Sequence, residues 1–254
     1  MTSYTRWTDT KIHTNSVERI TEIFNHRWDP FVGGKGQSVT LGPANHEWPF
    51  ELVIPGSTAE SVEGISEASV VYNLKATVAR SRLAYDLHAY KPVRIIRTLD
   101  PTALEFAHAM TIENIWPNKI EYSLVIPQKA IVLGTVINIE MKFTSLLKGL
   151  KIGPIRCQLV EVQEFILSQA SSLLRRKQTR EIESWLFELN EEEHYQDVIN
   201  DLGQDGFVLN EILPLPKSLK KCLQDVETMG IRVRHRVTFN IALHNPDGHT
   251  SEVS

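Results

Sequence analysis

The chain has 254 residues, 42% of them hydrophobic and 23% charged, with 27 Lys and Arg against 31 Asp and Glu. This is the balance of a globular protein of one large or two modest domains, and a net charge of −4 with a pI near 6.2 argues against a dedicated nucleic-acid binder, which carries a strong basic excess. Cys157 and Cys222 alone supply neither a disulfide framework nor a cysteine zinc site and fit a reducing, cytosolic setting. Arg6, Asp9, Lys11, Glu18 and Arg19 break up the first twenty residues, and no run of about 18 apolar residues occurs. The expectation is a protein that is neither secreted nor membrane-spanning.

The dominant periodicity is two, the period of strands. Gly33-Gly34-Lys35-Gly36 reads as a flexible hairpin tip. Trp48, Phe50, Leu52 and Ile54 alternate with Glu47, Pro49, Glu51 and Val53 before the turn chemistry of Pro55-Gly56-Ser57, and Pro49 favours an edge strand because it donates nothing to a ladder. Val70, Tyr72, Leu74, Ala76 and Val78 predict one buried strand face. Thr98–Asn118 carries Pro101 and Pro117 and loses the alternation, so it reads as a connection. Strands follow at Ile120–Ile126 and Ile137–Phe143, spaced like an antiparallel meander. From Pro154 to Phe165 the inward set starts as Ile155, Cys157 and Leu159 and continues with Val160 and Val162, which predicts a bulge near Leu159 and Val160.

Between Ile166 and Val198 the residues Leu173, Leu174, Ile182, Trp185, Leu186 and Leu189 stand among Arg175-Arg176-Lys177 and Glu191-Glu192-Glu193 without Gly or Pro. This reads as a helical or partly disordered insertion, or as a solvated charge-rich linker. The last long strand places Ile231, Val233, His235, Val237, Phe239, Ile241 and Leu243 on one face and Arg232, Arg234, Arg236, Thr238 and Asn240 on the other, before the turn Asn245-Pro246-Asp247-Gly248.

The catalytic signals are weak. A P-loop needs Lys followed by Ser or Thr at a helix start, but Gly36 and Gln37 follow Lys35. His235, His244 and His249 lack a matching carboxylate cluster, and His235 reads as a satisfied core residue rather than a metal ligand. No Gly-x-Ser-x-Gly elbow exists. Cys157 falls inward on a strand, and Cys222 follows Lys220-Lys221, which could lower a thiol pKa, yet both read as small buried apolar residues. No catalytic, metal or cofactor-binding residue is assigned.

Several long motifs do carry a resemblance. His46-Glu47-Trp48-Pro49-Phe50-Glu51-Leu52-Val53-Ile54-Pro55-Gly56, Glu60-Ser61-Val62-Glu63-Gly64, Tyr72-Asn73-Leu74-Lys75-Ala76-Thr77 and Lys91-Pro92-Val93-Arg94-Ile95-Ile96-Arg97-Thr98-Leu99 resemble the N-terminal domain of fungal arrestin-related trafficking adaptors, the alpha-arrestins. Trp116-Pro117-Asn118-Lys119-Ile120-Glu121-Tyr122, Leu147-Lys148-Gly149-Leu150-Lys151-Ile152-Gly153, Cys222-Leu223-Gln224-Asp225-Val226, Val233-Arg234-His235-Arg236 and Leu243-His244-Asn245-Pro246-Asp247-Gly248-His249 resemble the arrestin C-terminal domain. The nearest branch is that of the CreD-like adaptors, which interact with HECT-type ubiquitin ligases.

The resemblance implies an all-β chain, an arrestin-like tandem of two antiparallel β-sandwiches. The first spans residues 1–100, a connection spans 101–118, and the second spans 119–254 with the partly helical or disordered insertion at about 167–205. Relative to the family, the first sandwich is expected to be incomplete at its start and the second at its end. The implied protein is no enzyme and holds no cofactor. It works in the cytoplasm, peripherally at the plasma membrane or endosomes, linking cytosolic tails of membrane transporters or receptors to the ligase for ubiquitination and endocytosis, in carbon catabolite regulation. The family recruits its ligase through Pro-Pro-x-Tyr motifs docked on WW domains, and no Pro-x-Tyr occurs in this sequence. Cargo binding alone is then the reading for this polypeptide. An arrestin-like scaffold of ambient-pH signalling, and a carbohydrate-binding or enzymatic β-sandwich, stand as alternatives.

The candidate recognition surface is Arg232, Arg234 and Arg236, whose guanidinium groups emerge on one strand face at intervals of roughly 6.5 to 7 Å. Extended by Lys217, Lys220 and Lys221, this stripe would receive acidic or phosphorylated tails or an anionic lipid surface. The competing reading is a solvated face whose arginines pair with Glu140 or Glu161.

Overall fold

The computed structural model describes residues 2–9, 17–34, 37–80, 84–98, 108–169, 172–199 and 203–254. The chain divides into two compact units, Met1–Arg97 and Thr98–Ser254.

The first unit is built on one four-stranded antiparallel sheet. Its strands are β1 (Thr2–Asp9), β2 (Val17–Asn25), β3 (Ala68–Val78) and β4 (Leu87–Val93), in the order β2-β1-β3-β4. The alternation predicted for β3 holds, with Ala68, Val70 and Tyr72 buried beside Val62 and Ile65, but it fades beyond Leu74, where Ala76 and Val78 are exposed. The segment before β3 is tied to it by backbone bonds between Val62 and Val70, and Tyr72 Oη donates to the Ala59 carbonyl at 2.6 Å. Strands β1 and β2 were not legible in the sequence. Trp48–Ile54, expected to be a strand, has no ladder partner among the described residues, and Trp48, Phe50 and Val53 are exposed. Its alternation was real, but a strand also needs a neighbour. The segment is held by an edge-to-face contact of Phe50 with Trp28 and by Trp28 Nε1 donating to the Glu51 carbonyl at 3.0 Å. The Gly33–Gly36 tip reaches Lys35 and Gly36, outside the described residues; Gln37 N–H donates to the Gly34 carbonyl at 3.0 Å.

The second unit is a β-sandwich. One sheet comprises β5 (Met110–Trp116), β6 (Ile120–Ile126), β7 (Val136–Ser145), β10 (Tyr195–Gln196) and β11 (Gly206–Pro214), in the order β10-β11-β7-β6-β5. The other comprises β8 (Lys151–Gln169), β9 (Ser172–Phe187), β12 (Val226–Thr228) and β13 (Ile231–His244), in the order β12-β13-β8-β9, with β14 (Thr250–Val253) also paired to β13. Ile120, Leu124, Ile139, Met141, Phe143 and Leu209 from the first sheet meet Ile155, Cys157, Phe239, Ile241 and Leu243 from the second in one core. That is two inner faces interdigitating, the packing that alternating strands demand. Strand β5 lies within the stretch read as a connection.

The insertion is the main correction. Residues 172–187 are not helical: β9 pairs with β8 in register from Gln169↔Ser172 to Ile155↔Phe187, and the described helix is a single turn, α1 (Glu191–His194). The predicted bulge lies where expected, between Leu159 and Val160, but the extra residue is Ile182 on β9. It explains the false helical signal. A bulge shifts the strand phase by one, so Ile182 and Trp185 turn inward at a spacing of three, the spacing of a helix face.

Candidate functional site

Strand β13 presents two chemically different faces, and its pairing with β8 decides what each meets. On the outer face Arg232 stands opposite Glu164, Arg234 opposite Val162 and Arg236 opposite Val160. Glu164 in turn stands opposite Lys177 on β9, and Arg232 opposite Glu227 on β12. Arg232 pairs with Glu227, and its Nη1 lies 3.7 Å from Glu164 Oε2; Arg234 Nη2 reaches Glu227 Oε2 at 2.7 Å. Arg175 and Lys177 add contacts of 3.3 and 3.5 Å to Glu164. The partners are therefore Glu227 and Glu164, not Glu140, which pairs with Lys142, nor Glu161.

Hydrogen bonds from Arg232 and Arg234 lower the Glu227 carboxyl pKa. For Glu164 desolvation pushes upward, and the hydrogen bonds and charges of Arg175 and Lys177 outweigh it. Arg236 has no carboxylate within ion-pair distance among the described residues. The next acidic side chain on β9, Glu181, is bonded by Gln158 Nε2. The cluster thus gathers Arg175, Lys177, Arg232 and Arg234 around two carboxylates, with Arg236 beside it, and borders a shallow depression of about 230 Å³ lined by Val162, Glu164, His235 and the three arginines.

The lysines lie elsewhere. The loop Leu215–Asp225 crosses the inner side of the same sheet: Lys221 Nζ binds Glu183 there at 2.5 Å, and Lys217 packs near Gly134. Lys217, Lys220 and Lys221 do not extend the arginine stripe; Arg175 and Lys177 do, and sequence reasoning missed them because it placed them in a partly helical or disordered insertion rather than on a strand.

The inner face holds a polar network where an apolar row was expected. The inward positions of β8 run Ile155, Cys157, Leu159, then Glu161, Gln163 and Phe165, all buried. Glu161 is 0% exposed. Its Oε1 accepts from Arg180 Nη2 at 2.9 Å and Gln163 Nε2 at 2.6 Å, and its Oε2 from the Leu223 backbone N–H at 2.9 Å, with His235 Nε2 at 3.2 Å. His235 Nδ1 meets Asp225 Oδ1 at 2.6 Å, and Cys222 Sγ lies 3.5 Å from His235 Nε2. For Glu161 desolvation raises the pKa, but the bonds from His235, Leu223 and Gln163 outweigh it and bring the carboxyl down to about 2. For His235 burial lowers the pKa, and the bonds to Asp225, Cys222 and Glu161 overcome it and lift the imidazole to about 11. His235 is satisfied, as expected, but by carboxylates that the sequence reading did not connect to it. His244 sits nine positions along the strand, against Gly153. Cys157 is fully buried in the sandwich core, and burial pushes its thiol up to about 12.

Comparison with known proteins bears on both units. Residues 116–254, the sandwich and its arginine cluster included, match the family described as Arrestin (or S-antigen), C-terminal domain. The chain belongs to the arrestin family. It is 45% identical over 239 residues to a protein of Aspergillus oryzae and 46% identical over 239 residues to one of Aspergillus terreus, each named "Probable HECT-type ubiquitin ligase-interacting protein creD". It is 43% identical over 242 residues to the HECT-type ubiquitin ligase-interacting protein creD of Emericella nidulans. These alignments cover 93%, 93% and 94% of the chain and 39%, 41% and 40% of the relatives. The arrestin chain therefore spans about two fifths of the length of the curated relatives it matches.

Proposed function

We propose that this arrestin-family chain serves a non-enzymatic adaptor that links cytosolic tails of plasma-membrane transporters to a HECT-type ubiquitin ligase, so that the transporters are ubiquitinated and internalised according to carbon source. The chain works in the cytoplasm, at the inner surface of the plasma membrane or of endosomes. The supporting observation is the likeness to proteins named as HECT-ligase interactors, which runs over 93% of the chain and so is not confined to the sandwich scaffold. The part of the task proposed for these residues is cargo recognition. Its surface is the outer face of β13, where Arg236 has no acidic partner among the described residues and the neighbouring arginines share two carboxylates. Guanidinium forks bind carboxylate and phosphate oxygens bidentately, which suits an acidic or phosphorylated tail.

The test is binding of fluorescent acidic and phosphorylated transporter-tail peptides at low salt, with anionic vesicles as a parallel arm. Reversal of Arg234 and Arg236 to Glu should weaken peptide binding about tenfold or more, the size of one or two charge-assisted hydrogen bonds. Wild-type binding should fall as salt rises. A folded double variant that binds peptides as well as wild type reduces the stripe to a solvated face. Loss of vesicle binding alone moves the assignment from a peptide to a lipid surface.

A further inference from the structure

Glu161, Cys222 and His235 lie on the inner side of the sheet, apart from the arginine cluster and independent of its reading. Their ligand atoms converge: Glu161 Oε2, Cys222 Sγ and His235 Nε2 lie around one point, with a carboxylate oxygen, the sulfur and the nitrogen all within 4.8 Å of one another. We propose that these three side chains form a zinc site.

Distances decide between a coordination shell and a casual cluster. Zinc bonds of about 2.0 to 2.3 Å in tetrahedral arrangement put a nitrogen and a sulfur ligand about 3.6 Å apart and a nitrogen and an oxygen ligand about 3.4 Å apart. The observed edges are 3.5 Å for Nε2 to Sγ and 3.2 Å for Nε2 to Oε2. The remaining Glu–Cys edge is no longer than 4.8 Å, against about 3.6 Å in a tetrahedral zinc shell. One imidazole, one sulfur and one oxygen are the mixed donor set that zinc accepts, and soft sulfur disfavours magnesium and calcium.

The surroundings orient each ligand. Asp225 holds His235 Nδ1 at 2.6 Å, which turns Nε2 toward the site, the carboxylate–histidine arrangement of zinc centres. Arg180 and Gln163 hold the other Glu161 oxygen, so Oε2, which also accepts from the Leu223 N–H at 2.9 Å, binds in monodentate fashion through its remaining lone pair. Cys222 and Glu161 are 4% and 0% exposed, while the His235 side chain is 17% exposed and opens one path from solvent. Zinc takes its thiol and imidazole ligands deprotonated, so binding releases protons. The ion closes the loop Leu215–Asp225 onto strands β8 and β13, and a solvent molecule completes the fourth position.

The test uses the full chain, expressed with added zinc and dialysed. Elemental analysis should find about one zinc per chain, a stoichiometry set by the one site. Replacement of zinc by cobalt should produce the near-ultraviolet thiolate-to-cobalt charge-transfer band. Cys222→Ser should abolish the band, and Glu161→Gln should release the zinc, while His244→Ala, outside the cluster, keeps both. Near-ultraviolet circular dichroism reports whether each variant is folded. A folded wild type with neither zinc nor a cobalt band overturns the proposal. So does zinc retained at full stoichiometry in both Cys222→Ser and Glu161→Gln, which places the ion elsewhere.

Discussion

Glu161 carries no exposed surface, yet Arg180, Gln163, the Leu223 N–H and His235 all converge on it, so its charge is compensated as few buried carboxylates are. Removing one partner of such a network leaves the others uncompensated in a low-dielectric interior, which costs more than the network itself contributes. Glu161→Ala, measured by urea denaturation in the presence of a chelator, should lose about 3–5 kcal/mol, and Glu161→Gln less, because it keeps the shape and part of the hydrogen bonding. Glu227→Ala on the open face should leave the denaturation midpoint nearly unchanged. A small loss for Glu161→Ala would mean that water reaches Arg180 and His235 and screens them. The sequence showed His235 on the inward face of its strand and required that it be satisfied. It concealed the partner, because Val160 and Val162 looked like a new inward row. In the structure they face outward and the acid between them faces in, so what changes along β8 is the chemistry of the inner row, not its phase.

At the scale of the element, alternation located β3, β6, β7, β8 and β13, because each buries one face and a period of two leaves no other choice. It failed for β9, where the Ile182 bulge produced helical spacing, and for Trp48–Ile54, where the period was present without a described partner. The hairpin between β12 and β13 shows turn chemistry that the sequence reading passed over. Met229 and Gly230 have φ of 50° and 78°, the two left-handed positions of a two-residue hairpin turn that follows the strand twist. A Cβ on Gly230 would lie 2.5 Å from the Ile166 carbonyl oxygen, and Ile166 N–H donates to the Gly230 carbonyl at 2.8 Å. Gly248, with φ of 86°, has nothing within 4 Å of such a Cβ. Gly248→Ala should therefore cost only the left-handed conformation, about 1–2 kcal/mol, whereas Gly230→Ala should cost more because the end of the long β8–β9 hairpin must also move. Equal denaturation midpoints for the two variants would show that the hairpin end gives way freely.

On the scale of the whole molecule, the two units differ in how their strands find cover. In Thr98–Ser254 two sheets bury each other, while in Met1–Arg97 the described strands form one sheet, and along its strand β3 burial ends near Tyr72. The all-β class was legible from the period of β3, β6, β7, β8 and β13 but not from β1, β2 or β9, and the partner of each face was legible only where two apolar rows of similar length existed to meet. The same view bears on the ligase. A WW groove binds a preformed proline ridge followed by an aromatic anchor, and the entropy saved by that ridge is much of what makes so short a contact bind. Among the twelve prolines of this chain none is followed two residues later by tyrosine, and Tyr72, the largest fully buried side chain among the described residues, is bonded to Ala59. The described residues thus offer regular strands rather than a polyproline segment. Isolated WW domains of a HECT-type ligase should fail to retain this chain in a pull-down, while a Pro-Pro-x-Tyr peptide fused to it should restore retention. Robust retention without the peptide would place ligase recruitment on a folded face of these residues and would separate it from the proline motif altogether.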